Sequence, residues 1–152
     1  MQNANPVQIG GHFEDMLDLQ IGADKFIKKL NIRHTELSLK DFHQLMREAE
    51  QEPIQQCLES YRSMFTIDGS VKNDLLSKAA KGEVALRTVM KKYNSRAFGL
   101  NFLTLCNDQT IAEPLHVAGS VLMSQGYGYA AEGDWVTAGF VYALQQAFGQ
   151  AS

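Results

Sequence analysis

Only two cysteines occur among the 152 residues, Cys57 and Cys106. They lie far apart, with no Cys-x-x-Cys pair and no zinc-finger spacing, so neither a disulfide framework nor a cysteine metal site is encoded. The expectation is two buried thiols in a reducing cytoplasm. Charge of one sign is not in excess either. Fourteen Lys and Arg face 17 Asp and Glu, for a net charge of −3, and the basic residues are scattered. A nucleic-acid binder needs a basic patch or stripe, so DNA and RNA are not expected partners. No run approaches the ~18 apolar residues that would span a bilayer, and no membrane association is expected. The opening Met1-Gln2-Asn3-Ala4-Asn5-Pro6 lacks the basic and apolar regions of a signal peptide. Gly10-Gly11 lacks the third glycine and the context of a dinucleotide fingerprint, and no other phosphate loop is present. No Ser/His/Asp or Cys/His arrangement can be assembled from spacing alone. These absences leave a cytoplasmic domain.

What is present is ordinary for a globular chain: 45% hydrophobic and 20% charged residues. The length suits one domain, residues 1–152, with 1–6 as a flexible tail, and suffices for a core without disulfides or structural metal. Met16 to Ile21 alternates with period two and predicts a strand with Leu17, Leu19 and Ile21 on one face. A short helix follows over Asp24 to Leu30, carrying Phe26, Ile27 and Leu30, then a second strand over Ile32 to Leu37. Ser38 is placed to cap a helix spanning Leu39 to Glu50. Pro53 suits the first turn of the next helix, whose stripe is Ile54, Cys57, Leu58, Tyr61, Met64 and Phe65. A longer helix runs to about Tyr93 on Leu75, Leu76, Ala79, Leu86, Val89, Met90 and Tyr93, interrupted by Gly82. Ala97 to Leu105 is nearly continuously apolar and predicts a strand buried on both faces, as in a parallel sheet. A helix from about Pro114 stops at Gly126. A glycine- and tyrosine-rich connection, residues 126–131, leads to Glu132-Gly133-Asp134-Trp135 and a last helix to about Phe148. Short strands alternating with helices predict an α/β fold, an open and mostly parallel sheet with helices on both faces, doubly wound.

The segment Glu132-Gly133-Asp134-Trp135-Val136-Thr137 is where chemistry is most expected. Asp134 is placed to cap the last helix. Glu132 then projects just ahead of a helix N-terminus, where the dipole favours an ionised carboxylate. Such a carboxylate is what a divalent cation takes from a protein, although one glutamate is not a metal site. An exposed glutamate beside a capped helix has the same spacing. His12, His34, His43 and His116 show no ligand spacing and read as surface or partly buried residues without catalytic roles.

The run Gly126-Tyr127-Gly128-Tyr129-Ala130-Ala131-Glu132-Gly133-Asp134-Trp135, followed by Thr137-Ala138, resembles the L-arabinose isomerase family. There a Gly-Tyr-Gly-Phe segment runs into Gly-Glu-Gly-Asp-Trp-Lys-Thr-Ala. Upstream, Leu122-Met123 precedes the glycine-tyrosine run as in that family, and Phe98 to Leu105 follows the hydrophobic pattern of its Phe-Thr-Thr-Phe-Glu-Asp-Leu strand. The likeness extends faintly to Asp15-Met16, so it covers nearly the whole chain, as a central domain.

The resemblance implies an enzyme that interconverts an aldose and its ketose, L-arabinose and L-ribulose, with Mn²⁺ or a similar divalent cation. It implies that Glu132 is one of two catalytic glutamates and a metal ligand. Moving a proton between neighbouring sugar carbons calls for a base near the substrate and a cation polarising its oxygens. It also implies a small-molecule sugar as substrate and a homo-oligomer. The sequence departs from the pattern in three ways. The family's second glutamate and two metal-binding histidines lie downstream of the motif, beyond Ser152. Val136 replaces the lysine after the tryptophan, and Leu103-Thr104 replaces the Glu-Asp pair. The chain by itself is therefore expected to be inactive, with an incomplete metal site. Two other readings stand beside this one: a stand-alone, non-catalytic sugar-binding or assembly domain of the same fold, and a flavodoxin-like nucleotide or phosphate binder that shares only the fold class.

Overall fold

The structure, a computed structural model, describes residues 4–14, 16, 19, 22–106 and 112–149. Its elements in order are β1 (Val7–Ile9), α1 (Ala23–Leu30), β2 (Thr35–Leu37), α2 (Leu39–Arg47), α3 (Gln51–Met64), α4 (Asn73–Lys92), β3 (Ala97–Leu100), α5 (Phe102–Cys106), α6 (Ala112–Ser124), β4 (Gly128–Ala130) and α7 (Trp135–Phe148). The strands form one sheet in the order β2-β1-β3-β4, every pair parallel, with Val7 opposite Thr35 and Phe98, and Ala97 opposite Gly128. Parallel neighbours need crossover connections; α2, α4 and α6 cover one face of the sheet and α7, which follows the last strand, covers the other. The expected α/β architecture is the one found.

On one face, Val7, Ile9, Leu37, Phe98 and Leu100 meet Phe42 and Met46 of α2, Leu86, Val89 and Met90 of α4, and Leu115, Ala118 and Leu122 of α6. A second cluster joins α3 to α4 through Ile54, Cys57, Tyr61, Ala79 and Ala80, with Val121 of α6. The interruption at Gly82 marks a crossing point, because a Cβ there would run into the Leu115 side chain. Beneath α3, Tyr61 donates to Glu83 Oε2 at 2.7 Å, while Arg87 Nε and Nη2 donate to Glu83 Oε1 at 2.9 and 2.6 Å. The buried Glu83 carboxylate is thus paired on both oxygens, as a buried charge must be. Burial and the neighbouring Glu83 push the Cys57 thiol up to about 11 and the Tyr61 phenol up further still.

The opposite face is built from small residues. Ala97, Gly99, Gly128 and Ala130 lie under α7, and a Cβ at Gly128 would collide with the Ala138 carbonyl oxygen. A closely laid helix is possible there only because β3 and β4 offer it almost no side chains.

Three expectations are corrected. The first strand is Val7–Ile9 and not the segment from Met16 to Ile21. Of that segment Met16 and Leu19 are described, and they make turn hydrogen bonds, Met16 N–H to Phe13 O at 3.4 Å and Leu19 N–H to Met16 O at 3.2 Å. Leu17 and Ile21 lie outside the described residues, as do residues 1–3 of the expected tail. Ala4 and Pro6, from the same tail, are buried, and Ala4 O accepts from Arg96 N–H at 2.7 Å. Second, the apolar run from Ala97 ends as a strand at Leu100, because Asn101 starts a helix: its Oδ1 accepts from Thr104 N–H at 3.2 Å. Third, the connection after Gly126 contains the edge strand β4. Other signals hold. Ser38 Oγ accepts from Asp41 N–H at 3.1 Å, and α2 ends at Arg47. Gly126 has φ 90° and closes α6, with Tyr127 N–H on Leu122 O at 3.2 Å and Gly126 N–H on Met123 O at 3.0 Å. That pair of bonds is a Schellman stop. Met64 at the end of α3, Phe65 just after it, and Leu75 stand exposed, although each was expected on an apolar stripe; Ile27 and Leu30 of α1 are exposed as well.

Candidate functional site

The chain leaves β1 for β2 on one side of the sheet and returns to β3 on the other. Such a switch in strand order opens a crevice at the carboxyl ends of the strands. Here that crevice measures about 730 Å³, with Gly10, Gly11, His12, Glu36, Asn101 and Thr104 among its lining residues. Gly10 and Gly11 both adopt left-handed backbone, φ 80° and 74°. Asn101 ties the two banks together: its Nδ2 donates to His12 O at 3.0 Å and its N–H to Ile9 O at 3.0 Å. Thr104 Oγ1 adds a bond to Gly10 O at 3.1 Å.

The loop from β4 to α7 carries Glu132 and lies against this edge. Gly133 N–H donates to Leu100 O at 3.0 Å, and the buried Gln8 side chain donates from Nε2 to Gly133 O at 2.7 Å. Gly133 has φ 73°, and a Cβ on it would collide with the Gly11 carbonyl oxygen. It also crosses above Gly99, whose absent side chain leaves only about 2.9 Å between a hypothetical Cβ and the Gly133 carbonyl carbon. Asp134 caps α7 as expected, accepting from Thr137 N–H at 2.9 Å. Trp135 is buried at 4% exposure and its indole stacks on His34 of the β2 edge, centroids 4.3 Å apart and planes at 22°. The loop is therefore held by β1 and β3, and the helix that follows it by His34 just ahead of β2.

Glu132 itself has φ 64°. The other described non-glycine residues in that region, Asn5, Asn31 and Asn94, are asparagines, which tolerate it. A glutamate held there stores strain of order 1 kcal/mol, sustained by the contacts around it. Its carboxylate is half-buried and, among the described residues, makes no hydrogen bond or ion pair, leaving the helix cap to Asp134.

His12 lines the crevice with its Cα against Gly133, while His34 and His116 are engaged elsewhere. His34 lies in the stack with Trp135, its ring partly buried and its Nε2 enclosed without a hydrogen-bond partner. Burial holds His34 below the ordinary imidazole range, opposed by Glu36. His116 Nδ1 meets the Tyr129 hydroxyl at 2.9 Å, on the other side of β4. Among the described residues no group of three or more His, Cys, Asp or Glu is arranged to hold a metal ion. Glu132 alone does not fit a divalent cation. Cys106 has no described side chain, and Asp108 lies outside the described residues.

Sequence reasoning named Glu132 and foresaw the Asp134 cap and the buried Trp135, but it missed Gln8, Asn101 and His34 as supports of this loop and crevice. The Gly10-Gly11 pair was a usable signal, because adjacent glycines after a strand mark backbone that must turn with positive φ.

The family model for the L-arabinose isomerase central domain matches residues 23–149. The L-arabinose isomerase of Clostridium beijerinckii is 32% identical over 95 residues, which is 62% of this chain and 19% of that protein. That of Thermotoga neapolitana is 32% identical over 93 residues, 60% of this chain and 18% of the relative. That of Shouchella clausii is 26% identical over 105 residues, 69% and 21% respectively. The chain thus spans about a fifth of the length of the curated relatives it matches. With this match over most of its length, the chain belongs to the L-arabinose isomerase central-domain family.

Proposed function

We propose that this chain is the part of an aldose–ketose isomerase that presents Glu132 to a sugar bound at the carboxyl edge of the sheet. The observation that carries the reading is the strained Glu132, without an ion pair among the described residues and held at φ 64° by a loop anchored on β1 and β3. Strain of this kind persists where the surroundings over-determine it, and it concentrates at sites of chemistry. Aldose–ketose interconversion moves one hydrogen between adjacent carbons and one between adjacent oxygens. A carboxylate fixed beside the substrate can take up and return such a proton. The crevice between β1 and β3, of mixed polar and apolar lining, offers a polyol backbone carbonyls, Asn101, Thr104 and Glu36 as hydroxyl partners.

In this reading Glu132 contributes one oxygen donor toward a Mn²⁺-type cation, and the remaining donors come from outside the chain. The residues present do not make a metal site by themselves, so no step is assigned to one. The substrate is a small sugar, the compartment the cytoplasm, and the working enzyme an oligomer. The isolated chain is inactive.

The test is a chimera in which this chain replaces the corresponding central segment of the Clostridium beijerinckii enzyme. With Mn²⁺ supplied, ketose formation from L-arabinose is expected in the chimera and absent in the chain alone. Glu132→Gln in the chimera should lower the rate by about 10²–10⁴-fold, the usual contribution of a positioned acid or base. Full activity of the Gln variant, or ketose formation by residues 1–152 alone, would overturn the proposal.

A further inference from the structure

Single apolar side chains scattered over a surface need no explanation, but one that lines a crevice does. Among the described residues, Leu103 is the exposed large apolar side chain that lines the crevice at the strand ends, at 52% exposure. Its backbone is held on both sides. Before it stands Asn101, whose Nδ2 donates to His12 O, and after it Thr104, whose Oγ1 donates to Gly10 O. The neighbouring Phe102 ring packs edge-on to Phe13, centroids 5.0 Å apart and planes at 74°. Phe13 lines the same crevice, and the other lining side chains are polar or charged. Leu103 also stands where the family's pattern has a glutamate, so an alkyl group takes the place of a carboxylate.

We infer that the crevice selects a deoxy sugar, with its methyl group on Leu103, over the parent sugar that carries a hydroxyl on that carbon. The inference rests on the isomerase reading of the site and names the substrate class within it. Desolvation decides the preference. A sugar hydroxyl brought against Leu103 gives up water and gains no partner there, whereas taking a methyl group out of water is favourable. One alkyl branch in a crevice otherwise lined largely by polar groups matches one methyl group on an otherwise hydroxylated ligand. An apolar wall rejects an added hydroxyl only weakly, so the preference is about 10- to 100-fold and not absolute. A carboxylate at position 103 reverses it, because it accepts a hydrogen bond from the hydroxyl and offers the methyl group nothing.

D-Galactose and 6-deoxy-D-galactose are the probes, since both share the configuration of L-arabinose at C2 to C4 and they differ by one oxygen. In the chimera with the Clostridium beijerinckii enzyme, kcat/KM should be at least about tenfold higher for the deoxy sugar. Leu103→Glu should invert the ratio, and Leu103→Met, which keeps the site apolar, should preserve it. Saturation-transfer NMR on the Glu132→Gln chimera reads the contact apart from catalysis. The methyl protons of the deoxy sugar should receive more saturation than its ring protons, and adding Leu103→Glu should remove that difference with an unchanged circular dichroism spectrum. An active chimera that treats both sugars alike, or whose ratio Leu103→Glu leaves unmoved, overturns the inference and leaves the isomerase reading standing. A chimera inactive on every sugar, in which the methyl group still receives the larger saturation through Leu103, supports the deoxy-sugar preference and overturns the isomerase reading. Methyl protons saturated no more than the ring protons overturn the inference.

Discussion

The two faces of the sheet are made from the same four strands by opposite means. Toward α2, α4 and α6 the strands present Val7, Ile9, Leu37, Phe98 and Leu100, and the core is thick with side chains. Toward α7 they present Ala97, Gly99, Gly128 and Ala130, and backbone approaches backbone. The first face holds the fold together by buried apolar area. The second brings the Glu132 loop down onto the strand ends, where its carbonyl and amide groups reach Gln8 and Leu100. Stability and site geometry are thereby separated to a large degree, and substitutions on each face can test this.

The largest effect is expected on the bulky face. Phe98→Ala removes a fully buried ring stacked on Tyr129 and should cost about 3–5 kcal/mol in a urea melt, a large share of a domain's stability. A loss below about 1 kcal/mol would mean that this face is not the principal core. On the close face, Gly128→Ala places a methyl against the Ala138 carbonyl and should cost about 1–3 kcal/mol, despite adding only one carbon. A neutral Gly128→Ala would show that α7 rides higher above the sheet than described.

Acid should act on the close face first. His34 has a folded-state pKa below its unfolded value near 6.5, with desolvation the main cause. Its contribution to stability is complete above pH 6.5 and is lost as pH falls from there through the lower folded value. The urea midpoint should thus drop between pH 7 and pH 5, and Trp135 emission should change with it as the stack loosens. His34→Phe should flatten that part of the pH profile. An equal slope in parent and variant would sink the assignment.

Glu132→Gly relieves the left-handed strain and should stabilise the chain by about 1 kcal/mol. Glu132→Gln keeps the strain and removes a charge that has no ion-pair partner among the described residues, so its melt should lie within about 0.5 kcal/mol of the parent. A loss above about 1 kcal/mol for the Gln variant would make Glu132 a structural residue and the separation of the two faces incomplete.

These contrasts also explain how much could be read in advance. Helices α2, α4 and α7 announced themselves through apolar periodicity and through Ser38 and Asp134, whose capping chemistry is local. Strands β2 and β3 fell within the strands expected over Ile32 to Leu37 and from Ala97, but β1 and β4 did not announce themselves. Three residues are too few to establish a period of two, and β4 is written in Gly128 and Ala130, residues that otherwise signal a loop. Asn101 was legible only once its side chain was seen to cap α5 and cut short an apolar run. Glu132 stood out through its motif, whereas Gln8 lies 125 positions from Gly133, and only the parallel order of strands brings its amide there. The site's supports are tertiary, and tertiary contacts leave no local mark.

The brevity of the outer strands has a consequence for behaviour in concentrated solution. β2 and β4 form the two rims of the sheet and are three residues each. A rim so short offers a neighbouring chain only a few open amide and carbonyl groups to extend, too few to template a growing fibril. The molecule can therefore tolerate crowding at its sheet margins without the inward-facing lysines, prolines or bulges that longer rims require.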